Sequence, residues 1–209
     1  MTQVSYFIGS EEPALMSKAS EKRELILKNA KQVFIRKGFD RVTMKDIIEE
    51  CGISRGGIYL YFSTVDEIFI EVVKKHNQEK IECIRTSIEK NQDFNQLVDE
   101  FFADQKRRLL NMDKSMFVAM MEFCFAHKNV SDRDFYTEQF YNTKVIILEI
   151  LKFGQKAGAI TAKNIERLAD SILFLIEGLR SLAVSSEISG ELVDEQLQVG
   201  RGLIYSDLF

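Results

Sequence analysis

The chain has 209 residues, 45% hydrophobic and 29% charged, enough for one large domain or a small one joined to a larger one. No apolar run approaches the ~18–20 residues that span a bilayer, and no basic stretch leads into an apolar core at the N-terminus. Membrane and secreted classes are therefore set aside in favour of a cytoplasmic protein. The net charge of −4 argues against non-specific nucleic-acid binding but is unevenly spread. Residues 16–64 hold ten Lys/Arg against six Asp/Glu, the first fifteen residues carry −2, and residues 65–209 carry −6, so one end suits an anionic partner.

One proline and eleven glycines leave few breaks, and no sustained apolar/polar alternation marks a strand, so an all-α fold is expected. Residues 1–19 show no helical period and read as a weakly ordered extension. The first helix is expected at about 21–37, where Ile26, Ala30, Val33 and Phe34 form one apolar stripe. Gly38 followed by Phe39 has the form of a Schellman stop. Thr43 and Asp46 form a capping box for a brief helix at about 44–51, which Gly52 ends. Ser54 caps a second brief helix. Thr64 and Glu67 then form another capping box, ahead of a long helix ending near residue 90. Further helices are expected at about 94–110, 114–127, 132–156, 164–185 and 190–205, punctuated by Asn111, Asn129, Gly158 and Gly190.

Two short helices joined by a glycine-containing turn form a helix-turn-helix, spanning 43–62. Such a unit offers the start of its second helix to the major groove. Gly56 and Gly57 fall in that first turn, where backbone N–H groups are unpaired and the absence of a Cβ allows close approach to phosphates or base edges. Arg55 can reach a phosphate or the O6/N7 edge of guanine. Tyr59 and Tyr61 offer hydroxyls to phosphate and rings to thymine methyls, while Thr43 suits a phosphate contact. Ile58 and Phe62 should face inward onto Phe34, Ile47 and Cys51. The same residues would also fit a plain helical hairpin, with one tyrosine in the core.

The stretch "RELILKNAKQVFIRKGFDRVTMKDIIEECGISRGGIYLYFSTVDEIFIEVV", about 21–75, resembles the N-terminal domain of TetR/AcrR-type transcriptional regulators. The resemblance rests on the "KGF" stop, the "TMKDIIEECGIS" helix and turn, and the "GIYLYF" recognition helix. It implies a three-helix DNA-binding domain at 20–64 and a larger helical ligand-binding and dimerisation domain at 65–209. It also implies DNA contacts by Thr43, Ser54, Arg55, Gly56, Gly57, Tyr59 and Tyr61. Gly57 departs from the threonine or other small residue usual in the family, and Leu60 is apolar where many members have an aromatic or polar residue.

In the body, Ile165, Leu168, Ile172, Leu175, Leu179 and Leu182 follow alternating three- and four-residue steps, an a/d seam. Ala169, Leu173, Ile176 and Ala183 make a second apolar side, so one side is expected to face a partner subunit. The next helix adds Leu192, Gln196, Val199 and Leu203 to a four-helix homodimer interface. A central core helix in a monomer is the other reading. Between them, Phe101, Met116, Met120, Met121, Phe125, Tyr136 and Phe140 could line a cavity for a small, largely apolar inducer, or simply fill a solid core. Glu122 could meet a cation if it points inward, or be solvated.

Cys51, Cys83 and Cys124 have no CxxC spacing and read as small buried thiols. There is no GxSxG, P-loop, HExxH or paired-cysteine zinc spacing, and His76 and His127 lie far apart. No catalytic residue, cofactor or metal is expected. The reading is a dimeric repressor that binds a pseudo-palindromic operator in double-stranded DNA and is released by a small molecule. The alternative is a helical small-molecule or lipid-binding protein without DNA binding.

Overall fold

A computed structural model of the chain describes residues 18–90, 93–127, 130–206 and 208. The expectations for residues 1–17 and for Asn129 lie outside them. Every regular element among the described residues is helical: α1 (Lys18–Lys37), α2 (Met44–Cys51), α3 (Arg55–Tyr59), α4 (Val65–Glu89), α5 (Phe94–Leu109), α6 (Met116–Ala126), α7 (Val130–Lys156), α8 (Ile165–Ser185) and α9 (Gly190–Ile204). A 3₁₀ turn at Met112–Lys114 separates α5 from α6, where one longer helix was expected to start at 114.

Local chemistry accounts for the N-terminal breaks. Gly38 takes φ +76° and donates its N–H to the Phe34 carbonyl, ending α1. Thr43 and Asp46 exchange both hydrogen bonds of a capping box, and Gly52 at φ +63° closes α2. Ser54 accepts from the Gly57 N–H. Thr64 accepts from the Glu67 N–H as expected, but the Glu67 carboxylate reaches back to the Ser63 N–H at 2.7 Å, so the reciprocal box does not form. Ser189 caps α9, which starts at Gly190 as expected.

Two apolar cores follow. The N-terminal core holds Ile26, Ala30, Val33 and Phe34 of α1, Ile47 of α2, Ile58 of α3 and Phe62, all at most 2% exposed. The boundary expected at residue 64 falls inside this core, which also draws on Phe69 of α4 and Phe123 of α6. Phe34 and Phe39 each meet Phe69 with ring centres 4.9 Å apart, and Phe123 meets both Phe39 and Phe69 at that separation. Such contacts add roughly 0.5–1.5 kcal/mol each beyond simple burial.

The second core gathers α5, α7, α8 and α9. Here the expected dimer seam needs correction. Leu168 and Ile172 are 0% exposed and Leu179 6%, buried within their own chain together with Ala169, Leu173 and Ile176. Helix α8 packs against α5, α7 and α9, so most of both apolar stripes serves the core and only Leu182 of the seam is exposed, a distinction that heptad spacing cannot make. Ile165, Leu175, Leu192, Gln196 and Leu203 are half-buried. The exposed apolar residues of the α8–α9 pair are Phe174, Leu182, Val184 and Val199. Cys83 also departs from expectation, being exposed, whereas Cys51 and Cys124 are partly buried. No helix among the described residues is long and apolar enough to cross a membrane.

Candidate nucleic-acid interface

Helices α2 and α3 stand on the N-terminal core through Ile47, Ile58 and Phe62, which turns the opposite side of α3 outward. Arg55 and Gly56 are exposed, as is Tyr59. The Arg55 guanidinium lies 5.8 Å from the Tyr59 ring centre and has no carboxylate partner among the described residues. Nearby cations are neutralised instead: Arg36 pairs with Glu50 and Lys37 with Asp46, each at 2.6 Å. Among the described residues, Arg55 is thus a positive charge with no countercharge at the tip of the motif.

The two glycines differ. A Cβ on Gly56 would meet nothing within 4 Å, so the fold itself does not require glycine there. A Cβ on Gly57 would stand 3.1 Å from the Ser54 hydroxyl oxygen, crowding the cap of α3. Tyr61 is half-buried with its ring against the core, so only part of it reaches the surface. Beyond the five residues of α3, Tyr61 and Phe62 both donate N–H groups to the Ile58 carbonyl, at 2.9 and 3.1 Å, carrying the turn onward. The Thr43 hydroxyl donates to Asp46 at 2.8 Å. The lysine beside Asp46, and then Thr43, hold its carboxyl down to about 2 from 3.8.

A cavity of about 290 Å³ lies below the N-terminal core, bounded by α1, α4, α6, α7 and α8 and the end of α5. Of the residues expected to line a pocket, Met116, Met120, Tyr136 and Phe140 do. Phe101 instead packs edge-on against Phe102 in the second core, Met121 is half-buried elsewhere, and Phe125 is 68% exposed. The cavity is less apolar than expected. Lys31, His76, Lys80, Arg107, Arg108 and Arg180 also reach its wall, drawn from four helices and so invisible as a sequence cluster. Burial, then Lys80 and Lys31, push His76 down to about 2, and burial, then Arg108 and Arg180, push Lys80 down to about 7.

Helix α6 joins the two regions. Met116 and Met120 face the cavity, while the Glu122 carboxylate accepts from the backbone N–H groups of Phe39 and Asp40 in the turn after α1. Glu122 is therefore half-buried and has no cation partner among the described residues; it holds the entrance to α2. A Cβ at Gly38 would collide with that carboxylate. His127, at the end of α6, stacks on Phe123 with ring centres 4.1 Å apart and approaches Asp66 of α4 at 3.2 Å.

Residues 26–72 match the family described as bacterial regulatory proteins, tetR family. Among curated relatives, the uncharacterized HTH-type transcriptional regulator YfiR of Bacillus subtilis (strain 168) is 44% identical over 78 residues. That match spans 37% of this chain and 38% of YfiR. The HTH-type transcriptional repressor BepR of Brucella suis biovar 1 (strain 1330) is 37% identical over 57 residues, 27% of each chain. The matches thus span well under half the length of either relative. Reduced NemR of E. coli has a similar fold, with TM-score 0.72 and 14% identity over 88% of this chain and 98% of that one. The family and these relatives are regulators of transcription, not enzymes. The capped helix pair thus lies inside the segment, running from α1 into α4, that matches the tetR family of bacterial regulatory proteins.

Proposed function

We propose that the chain is a dimeric repressor that grips a pseudo-palindromic operator through α2 and α3 and releases it when a small molecule fills the cavity. The observation that carries this reading is the outward face of α3, where Arg55, Gly56 and Tyr59 are exposed over a rigid, capped core. On DNA, Arg55 takes the O6/N7 edge of guanine or a phosphate. Gly56 lets the backbone approach a base edge. Tyr59 stacks its ring on a thymine methyl, the Tyr61 hydroxyl donates to a phosphate, and Thr43 does the same by turning its hydroxyl proton from Asp46 to the phosphate. Ser54 and Gly57 act through the cap that sets the angle of α3.

Dimerisation uses the exposed strip of Phe174, Leu182, Val184 and Val199 with the half-buried Leu175, Leu192 and Leu203 beside it. A two-fold dimer would hold two α3 helices about 34 Å apart, one turn of the duplex. Helix α4 begins directly after the motif and carries His76 and Lys80 to the cavity, and α6 links the cavity to the turn before α2. A ligand shifts the balance between DNA-competent and DNA-incompetent forms only by its difference in affinity for them.

The test is a gel-shift titration on genomic fragments, beginning with DNA upstream of the chain's own gene. Arg55→Ala should weaken specific binding by about 1–3 kcal/mol where it reads guanine. Unchanged affinity for both Arg55→Ala and Tyr59→Ala would overturn the assignment.

A further inference from the structure

The cavity wall is charged in one sense. Its lining holds five Lys/Arg side chains and a single carboxylate, Glu177. Glu177 pairs with Arg180 at 2.5 Å, Asp104 just outside pairs with Arg107 and Arg108, and Lys31 lies 3.8 Å from Glu79. Counting all three carboxylates, the wall still keeps two positive charges in excess when Lys80 is protonated. Lys80 is the cation left over: it has no hydrogen bond or ion pair among the described residues, and the repulsion from Arg108, Arg180 and Lys31 is only partly offset by Asp104. An enclosed ammonium among other cations is costly unless something negative joins it.

A second observation comes from α7. Gln139 lines the same cavity and is only 9% exposed. Its side-chain oxygen accepts from both Asn77 and Asn142, which fixes the amide orientation, and its Nε2 is buried with no partner among the described residues. That donor sits where the cavity adjoins a second hollow lined by Asn77 and Asn142, and it has no acceptor among the described residues. His76 adds another: an ammonium can only donate, so Lys31 at 2.8 Å donates to Nδ1, leaving the imidazole proton on Nε2. The remaining wall is soft and apolar, with Met112, Met116, Met120 and Phe140.

We propose that the cavity binds an amphipathic organic anion, a carboxylate or phosphate monoester on a compact aromatic body, with its charged end at Lys80, Arg108 and Arg180 and a hydrogen bond from the Gln139 amide. This rests on the cavity being the regulatory site and narrows its ligand from apolar to anionic. The anion supplies the countercharge that Lys80 lacks, and the methionines and Phe140 take the ring. A cationic ligand meets repulsion from the same wall.

Calorimetric titration of the full chain, without DNA, tests this with four probes of one shape: naphthoate, naphthyl phosphate, naphthamide and naphthylmethylammonium. At least one anion should bind about tenfold or more tighter than the neutral amide, and the ammonium should not bind. The better anion identifies the headgroup, carboxylate or phosphate. Lys80→Met should erase the preference over the amide while raising the Tm of the ligand-free protein, and Gln139→Leu should weaken the anion with the fold intact. Equal binding of anion, amide and ammonium, failure of both anions to bind at millimolar concentration, or unchanged anion affinity in Lys80→Met would overturn the proposal. Operator binding is measured separately, so a protein that takes the anion but ignores DNA sinks only the regulatory reading.

Discussion

Glu122→Ala removes the carboxylate that α6 sends into the turn between α1 and α2. In the wild-type protein it accepts from the Phe39 and Asp40 N–H groups, the first partly buried and the second exposed at 3.2 Å. Hydrogen bonds to a charged acceptor contribute about 1.5–3 kcal/mol, and an exposed one falls at or below the lower end of that range. The Phe39 N–H is left unpaired beside the packed rings of Phe39, Phe69 and Phe123. Removing the side chain should therefore cost about 2–3 kcal/mol. For a chain of this size that lowers the Tm by roughly 4–12 °C. Glu122→Gln keeps a neutral acceptor and should lose about half as much. Urea and thermal unfolding measure the loss, and operator titration in parallel should show weaker binding, because the same contact sets the entrance to α2. Stability within about 0.5 kcal/mol of wild type for Glu122→Ala would refute the reasoning, since that is the range of an ordinary surface substitution.

Lys80 releases its proton near 7 in the folded chain and near 10.5 when unfolded, so between these values the unfolded chain binds more protons. Wild-type stability relative to Lys80→Met should rise with pH across that window, by up to about 1.4 kcal/mol per pH unit, with Arg108, Arg180, Asp104 and Lys31 facing the ammonium and burial lowering Lys31 in the same sense; urea titrations at stepped pH measure the slope. Asp46→Asn should cost about 1 kcal/mol at neutral pH through the α2 cap and its Lys37 bond. In wild type the Asp46 contribution holds above pH 3.8 and is lost as pH falls toward 2, and the variant should lack that acid limb in thermal scans. Phe174→Asp should shift the protein toward monomer in sedimentation velocity by more than about tenfold in dissociation constant, since a buried Phe contributes about 1.5–3 kcal/mol.

What the sequence reveals here is what acts over short range. The Thr43–Asp46 box and the Gly38 and Gly52 stops lie within a few residues of their partners, and Ile58 and Phe62 share a face at a four-residue step, so spacing exposes them. Glu122 escapes such reading because its partners lie 83 and 82 residues away. The cationic wall escapes for the same reason: Lys31, Lys80, Arg108 and Arg180 belong to four helices and meet only in the fold. On α8 the apolar period is real, but Leu168 and Ile172 are buried by neighbouring helices of the same chain. Periodicity reports that a face is covered and not by whom. Met121 and Phe125 fail for a related reason, since α6 is apolar nearly all round while only its Met116–Met120 side meets the cavity.

Hydroxyl-radical footprinting of the full chain on DNA upstream of its own gene tests the central claim most directly. Two protected patches should appear about one helical turn apart on one face of the duplex, and Arg55→Ala should clear both. A uniformly cleaved ladder on every fragment at low salt, or protection that Arg55→Ala leaves intact, would contradict the account.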